Sequence, residues 1–406
     1  MQDFIKDFGQ KVGAGVLIKG WIYNLRSSGK IVFLQVRDGS GFCQAIVDQK
    51  VVDDKSWKAA NEITLESSVE LAGTVSTHPK KDEYELQVKS VKLVQKAAEY
   101  PIGKKEHGPD FLLDLRHLWL RSPKQWAIQK VRNTVINATY EFLNKEGFTK
   151  IDSQILTPSA CEGTTELFEI DYFGEQKAYL SQSGQLYLEA AIASLGKVFD
   201  FGPTFRAEKS KTRRHLTEFL MMDAEMAFCD HKMNMELQER LIEFIAKKVL
   251  EANMEELAIL ERNVDALKKI KAPFPRITYH EALKILKKKG SDIKDGEDLG
   301  NDDETLIMQD YDRPLFIEKW PAEIKAFYMK REGDLVLCSD LIAPEGHGEI
   351  IGGSQREDDY DELLKRIKKH KLPVDAFKWY LDLRKYGSVP HSGFGFGLER
   401  LTGWMC

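Results

Sequence analysis

The sequence predicts an α+β protein, with a small all-β unit first and a larger unit of mixed strands and helices after it. Three observations carry that prediction. Five β-rich runs crowd before Ala97. Two more, Val198 to Phe205 and Glu218 to Phe228, bracket the cationic segment Lys209-Ser-Lys-Thr-Arg-Arg-His215. From Ser122 onward, Ile128, Val131, Val135, Ala138 and Phe142 recur at three- and four-residue steps. β-rich runs bounded by turn residues read as strands, and the 3.6-residue period reads as an amphipathic helix.

Taken in order, the first unit reads as a barrel. Strands are predicted over Val16 to Tyr23, Lys30 to Arg37, Phe42 to Asp48, Ser68 to Ser76 and Glu83 to Val94, with a tight hairpin turn at Asp38-Gly-Ser-Gly41. A helix over Asp54 to Ile63 falls between the third and fourth. Five strands with that insertion suit an OB-fold, a frequent binder of single-stranded nucleic acid, although a purely structural barrel would show the same pattern. Ala97 to Leu120 is polar and then basic, and Pro101, Gly103, Gly108 and Pro109 argue there against regular structure. It reads as a hinge. The chain thus divides into a barrel over 1–97, a hinge over 98–120 and a second unit over 121–406, whose first helix ends near Gly147.

Composition sets outer limits. A chain of 406 residues has room for roughly two or three domains. With 42% hydrophobic and 30% charged residues it falls among ordinary soluble globular proteins. No apolar run approaches the roughly 20 residues that span a bilayer, and Met1 to Gln10 lacks the basic-then-apolar pattern of a signal peptide. Cys43, Cys161, Cys229, Cys338 and Cys406 are scattered and odd in number, which argues against a disulfide framework and a zinc site and suits a reducing cytoplasm. The net charge of −5 excludes a general nucleic-acid coat, so any RNA contact must come from local patches.

The chemistry concentrates around the predicted hairpin. Arg206 and Glu208 stand two apart at the end of its first strand and so share a face, beside a loop with four more cations and His215. Such fixed positive charge suits a polyphosphate. An isolated loop of this kind is more often merely solvated, but its flanks are distinctive. Phe205-Arg-Ala-Glu208, the basic loop and Arg214-His-Leu-Thr-Glu-Phe219 closely resemble motif 2 of class II aminoacyl-tRNA synthetases, and Gly393-Phe-Gly-Phe-Gly-Leu-Glu-Arg400 resembles motif 3. The first helix of the second unit, followed by Gly147-Phe-Thr-Lys-Ile-Asp-Ser-Gln-Ile-Leu-Thr-Pro-Ser159, resembles motif 1, the dimer interface. There Gln154 replaces the family's proline, a departure that removes a fixed backbone angle. By this resemblance motif 1 covers about 125–158, motif 2 about 199–228 and motif 3 about 391–406, on an antiparallel sheet flanked by helices. The helical stretch between the last two, about 229–324, includes Leu237, Leu241, Ile245 and Val249 and then an acidic connection, Asp292 to Glu304. No chemistry is read there, and Lys287 to Lys289 reads as a solvated face.

The resemblance is strongest to the archaeal-type members of the aspartyl and asparaginyl subgroup, and it implies a set of roles. Arg206 takes the α-phosphate of ATP, Arg214 and His215 the outer phosphates, and Arg400 the γ-phosphate, with Gly397 on the nucleotide side of motif 3. Phe219 stacks on adenine and Glu208 accepts from its amino group. Asp340 and Glu349 hold magnesium between the phosphates, as paired carboxylates suit a hard cation. Ser159-Ala-Cys-Glu-Gly-Thr-Thr-Glu-Leu-Phe168 resembles a mobile loop whose Glu162 meets the substrate ammonium, and within Ser181-Gln-Ser-Gly-Gln-Leu-Tyr-Leu-Glu189 the resemblance gives Gln185 a share in holding it and places Ser181 among the amino-acid-binding residues. Aspartyl enzymes carry a lysine where this chain has Leu188. Glu189 is expected to accept from an amide and repel a second carboxylate, with Arg356 donating to the side-chain carbonyl. In the barrel, Gly20 to Val47 resembles the subgroup's anticodon-binding domain, so Phe33 stacks on a base while Gln44 and Arg26 reach base edges. An alternating strand also allows Phe33 to be core.

The expected activity is ATP-dependent attachment of asparagine to tRNA(Asn) through an adenylate, by a cytoplasmic homodimer. An aspartyl enzyme, including a non-discriminating one that charges both tRNAs, is disfavoured by Leu188 and Glu189. A paralogue that makes free asparagine would lack the barrel, and a non-catalytic RNA-binding relative would have lost Arg206, Glu208 and Arg400, all of which stand. His347 and His391 show no ligand spacing and read as structural. Relatives run on past motif 3, whereas this sequence stops at Cys406, so the helix carrying Arg400 is expected to have barely two turns.

Overall fold

The computed structural model describes residues 2–103, 105–158, 167–174, 176–209 and 216–406. The chain divides into two units, Met1–Ser122 and Pro123–Cys406. In the first, β1 (Gly15–Ser28), β2 (Ile31–Arg37), β3 (Phe42–Asp48), β4 (Ser68–Thr77) and β5 (Tyr84–Gln95) close a barrel in the order β1-β2-β3-β5-β4. Pairing is antiparallel except between β3 and β5. Alternation decides the inside: Val32, Leu34 and Val36 are buried in the barrel core while Ile31, Phe33 and Gln35 face outward. Helix α1 (Asp54–Glu62) starts where the Asp53 carboxylate accepts from the Ser56 amide. The segment expected to lack regular structure instead holds two short helices, α2 (Pro109–Asp114) and α3 (Arg116–Trp119). Pro109 permits this because it stands in the first turn of α2, where a missing N–H costs no helical bond.

The second unit opens with α4 (Pro123–Lys145), beyond which Gly147 adopts a φ of 83° that favours glycine. Two-residue strands β6 (Thr149–Lys150) and β7 (Leu156–Thr157) follow, with irregular chain between them at Gln154. β8 (Glu169–Tyr172) and β9 (Gln176–Leu180) join β7 in a small sheet and lead to α5 (Gln185–Leu195). The hairpin forms as expected, from β10 (Lys197–Phe205) and β11 (Glu218–Ala227). Helices α6 (His231–Ala252), α7 (Met254–Ile259) and α8 (Val264–Lys268) come next, then β12 (Arg276–Thr278), α9 (Tyr279–Lys288), α10 (Asn301–Met308) and β13 (Leu315–Pro321). The connection read as acidic and irregular therefore already begins α10 at Asn301. The chain ends through β14 (Arg331–Glu332), β15 (Leu335–Ala343), β16 (Gly348–Gln355), α11 (Tyr360–Lys369), α12 (Lys378–Lys385), β17 (His391–Gly397) and α13 (Leu398–Met405).

Among the described residues the main sheet runs β12-β13-β15-β16-β17-β11-β10-β6, with β14 on β15. It is antiparallel apart from the β10–β6 and β12–β13 pairs at its two edges. One face is sealed by α4, α6 and α13 over Phe199, Met222, Phe394 and Phe396. Leu401, Trp404 and Met405 bury the short last helix in that core, so packing rather than length holds it. The opposite face is left for chemistry. Among the described residues no helix is long and apolar enough to cross a membrane, and Cys43, Cys229, Cys338 and Cys406 are free thiols.

Candidate active site

Strand register builds the floor of the site. Asp340, Gly352, Gly395 and Asp223 pair in one row across β15, β16, β17 and β11, and the row two residues along carries Ser354, Gly393 and Glu225. Because side chains alternate, both rows face the same way. Glycine keeps the middle bare: a Cβ on Gly395 would meet Asp223 Oδ1 at 2.4 Å, and one on Gly393 would meet Glu225 Oε2 at 1.8 Å. The result is a cavity of about 710 Å³ over the sheet. Its two ends follow the strands, one toward Phe219 and Gly397, the other toward Glu225 and Gly393.

At the first end Arg206 follows β10, its N–H bound to Thr217 O at 3.0 Å. Its guanidinium lies 5.5 Å from the Phe219 ring centre, and its buried Nε has no hydrogen-bond partner among the described residues. Phe219 stands over Gly397, where an added Cβ would lie 3.6 Å from the ring. Arg400, in the first turn of α13, donates from Nη1 to Glu349 O at 2.6 Å, tying that helix to β16. Glu399 accepts from the Leu220 amide at 3.0 Å and from Arg132 at 3.2 Å, which fixes the turn that presents Arg400. Glu208, Asp340 and Glu349 also line the cavity here. Burial pushes the Asp340 carboxyl up to about 7, Lys325 at 2.8 Å opposes the shift and the charge of Glu349 adds to it. Two acids that sense each other across a cavity wall fit a hard divalent cation. Arg214, His215 and Glu162 lie outside the described residues.

At the second end cations are matched by acids. Arg356, 3% exposed, donates to Glu225 through Nε at 3.0 Å and Nη2 at 2.9 Å, and through Nη1 to Ser354 Oγ at 2.7 Å. Asp223 accepts from Ser183 Oγ and the Gly184 amide, both at 2.9 Å, while burial pushes its carboxyl up to about 6. Gln185 lines the cavity beside Ser183 and donates to Glu189 Oε1 at 3.1 Å.

Two expectations are corrected here. Glu189 does not line the cavity. Its Oε2 accepts from Tyr380 Oη and Arg384 Nη2, each at 2.7 Å, and stands 3.1 Å from His391 Nε2. Burial opposes its ionisation, but Arg384, then His391 and Arg356, outweigh burial and hold the carboxyl well below its usual range. One helical turn from Gln185 puts Glu189 behind the wall, where it accepts from Gln185 and stands 4.0 Å from Arg356. Ser181 is likewise turned inward, its hydroxyl donating to Ser183 O at 2.9 Å; Ser183, two residues on, takes the cavity position. Leu188 packs away from the cavity with Ile192 and Val198.

Sequence reasoning missed Asp223 and Glu225. The signal was present: counting by two along β11 from Phe219 gives Met221, Asp223 and Glu225, two acids on one face of a strand that is otherwise apolar after Glu218. Arg384 and Tyr380 carried no such signal, since α12 reaches Glu189 only through the fold.

The barrel presents its own surface. Arg26 and Phe33 are register partners, with the guanidinium 4.3 Å over the ring, and Phe33 belongs to the outward face rather than the core. Beside them Tyr23 Oη donates to Gln35 (3.1 Å), Gln35 to Gln44 (3.0 Å) and Gln44 to Glu85 (2.6 Å). An aromatic face edged by amides offers stacking plus hydrogen bonding to unpaired bases.

The two units thus define a nucleotide-cradling sheet enzyme with a separate barrel of OB type. The family model described as tRNA synthetases class II (D, K and N) matches residues 108–406, and the OB-fold nucleic acid binding domain matches residues 16–94. The chain belongs to the class II tRNA synthetases of this D, K and N group. Asparaginyl-tRNA synthetase from Pyrococcus horikoshii, solved with asparaginyl-adenylate, is 44% identical with a TM-score of 0.95, covering 100% of this chain and 95% of that one. The Entamoeba histolytica asparaginyl-tRNA synthetase is 32% identical at a TM-score of 0.89, over 100% of this chain and 95% of that chain. The aspartyl-tRNA synthetase of the same organism is 27% identical at 0.82, over 100% and 88%.

Proposed function

We propose that the protein joins asparagine to tRNA(Asn) in two steps, with ATP consumed in the first. The observation that carries the choice of amino acid is the Arg356–Glu225 pair at the closed end of the cavity. An arginine matched by its own carboxylate offers hydrogen bonds without net charge, which suits an amide; aspartate would bring a further negative charge into a wall already carrying Asp223. The two asparaginyl-tRNA synthetases above, one of them holding asparaginyl-adenylate, support the same choice.

In the first step the substrate α-carboxylate attacks the α-phosphate of ATP in line, and pyrophosphate leaves. Catalysis is then largely alignment and neutralisation of growing phosphate charge. Arg206, with a donor unused among the described residues, takes the α-phosphate oxygens, and Arg400 the γ-phosphate. Arg214 and His215 hold the outer phosphates. Phe219 stacks on adenine over Gly397, and Glu208 accepts from its amino group. Gln185 holds the ammonium together with Glu162, while Arg356 donates to the side-chain carbonyl. Asp340 and Glu349 would hold magnesium, which supplies neutralisation of phosphate charge when bound. In the second step the terminal ribose 3′-hydroxyl of tRNA attacks the adenylate carbonyl and AMP leaves.

On the barrel, Phe33 stacks on an anticodon base, and Gln44 and Arg26 bind base edges. Ile155 and Leu156, 43% and 46% exposed on the motif 1 segment, support a homodimer. The free thiols suit a reducing compartment, and we place the enzyme in the cytoplasm. Pyrophosphate exchange with ATP and magnesium, run with asparagine and with aspartate, tests the reading. Exchange that requires asparagine is the expected outcome; exchange with aspartate alone would transfer the assignment to the aspartyl enzyme.

A further inference from the structure

We propose that Lys325 is a built-in cation at the Asp340–Glu349 pair that makes divalent-cation binding there depend on nucleotide. The proposal rests on the reading of those two acids as the magnesium site. Lys325 leaves the chain just after β13, whose Ile317 pairs with Asp340 on β15, so backbone pairing brings the lysine and the acid to one place. Its Nζ lies 2.8 Å from Asp340 Oδ2, 3.7 Å from Asp298 Oδ1 and 3.7 Å from the centre of the Trp320 ring, with the side chain only 13% exposed. An aromatic face on one side and carboxylates on others confine an ammonium without sealing it off, since Lys325, Asp340 and Glu349 all line the cavity.

The charge count gives this placement a consequence. Of the other acids lining the cavity, Glu323 is paired with Lys369 at 2.6 Å, Asp298 is largely exposed, Glu399 holds the Leu220 amide, Asp223 holds Ser183 and Gly184, and Glu208 is assigned to adenine, so Asp340 and Glu349 are the donors taken for the ion. With Lys325 in place, that pair offers a divalent ion about one net charge instead of two, and the ion must meet a tethered ammonium that never leaves. An ammonium is a compact point charge on a flexible stem with three donors. When a nucleotide brings its phosphates into the cavity, the anionic charge rises, and both the ammonium and a divalent ion then have oxygens to bind. A lysine with a solely structural role would leave the metal affinity of the free protein unchanged when its charge is removed.

The test is Mn²⁺ binding to the full chain without nucleotide, read from the electron paramagnetic resonance signal of free Mn²⁺. Wild type is expected to bind weakly, and Lys325→Met to bind about tenfold tighter or more, the size of effect one adjacent charge has on a carboxylate's affinity for a proton. Lys325→Arg, which keeps the charge, should stay weak, and adding Asp340→Asn to Lys325→Met should abolish the gain. Lys325→Met that binds no tighter overturns the proposal. So does tight binding by wild type without nucleotide, a result that needs no variant to fold. The metal-site reading has its own arm: with ATP present, Asp340→Asn or Glu349→Gln must weaken Mn²⁺ binding, and no change there would remove the reading itself.

Discussion

The two ends of the cavity handle positive charge in opposite ways. Toward Gly397, Arg206 keeps a buried donor unused among the described residues and Arg400 spends one donor on a backbone carbonyl, so cationic capacity is left for a ligand. Toward Gly393, each guanidinium is already matched, Arg356 by Glu225 and Arg384 by Glu189, and the ligand meets a wall close to neutral. A polyphosphate requires the first arrangement and a neutral side chain the second. One sheet thus holds both because β11 and β17 run the length of the cavity and the residues along them change from Phe219 and Gly397 to Glu225 and Gly393.

The contrast can be broken from either end. The largest effect is expected at the matched end: Glu189→Ala leaves Arg384 buried without its carboxylate, and losing one partner of a buried pair costs about 3–5 kcal/mol. Urea unfolding should show that loss, and a cost below about 1 kcal/mol would mean the pair is not a unit. At the open end Arg206→Ala should leave stability near wild type while slowing asparagine-dependent pyrophosphate exchange about 10²–10³-fold. Equal losses in folding and exchange would remove the contrast. Gly393→Ala probes the boundary between the rows. Its methyl would overlap Glu225 Oε2 and Ala224 O, so a destabilisation of about 1–3 kcal/mol is expected, with a rise in KM for asparagine as Glu225 and Arg356 shift.

The remaining effect is electrostatic and pH-dependent. Asp223 has its carboxyl raised from 3.8 to about 6, so between those values the folded protein binds a proton that the unfolded chain has lost. Stability conferred by that proton is present at the acid side and declines as pH rises through the window, by at most about 1.4 kcal/mol per pH unit. Asp223→Asn should flatten this part of the pH profile relative to wild type. A steeper decline in the variant would contradict the sign.

Local pattern accounts for what was legible. The barrel strands, α4 and the β10–β11 hairpin announce themselves through period and turn residues, which depend only on neighbours in the chain. The cavity-lining residues Arg206, Phe219, Gly397 and Arg400 were picked out by a different route, the resemblance of two short segments to family motifs. Glu189 was misread because one turn of helix decides whether a side chain lines a cavity or stands behind its wall, and spacing alone gives no depth. The helices α2 and α3 were missed because proline was read as a breaker where it serves as a first-turn residue.

By itself, then, the sequence determined the two-unit plan, the barrel strands, α4 and the β10–β11 hairpin, which are matters of composition and short-range period, while the motif residues were named from family resemblance. The tertiary structure alone decided which charges are spent and which are free. Arg384 lies 195 residues from Glu189, and Arg356 131 from Glu225. Pairing over such distances is set by sheet register and helix docking, and the burial that makes those pairs strong exists only once the chain has folded.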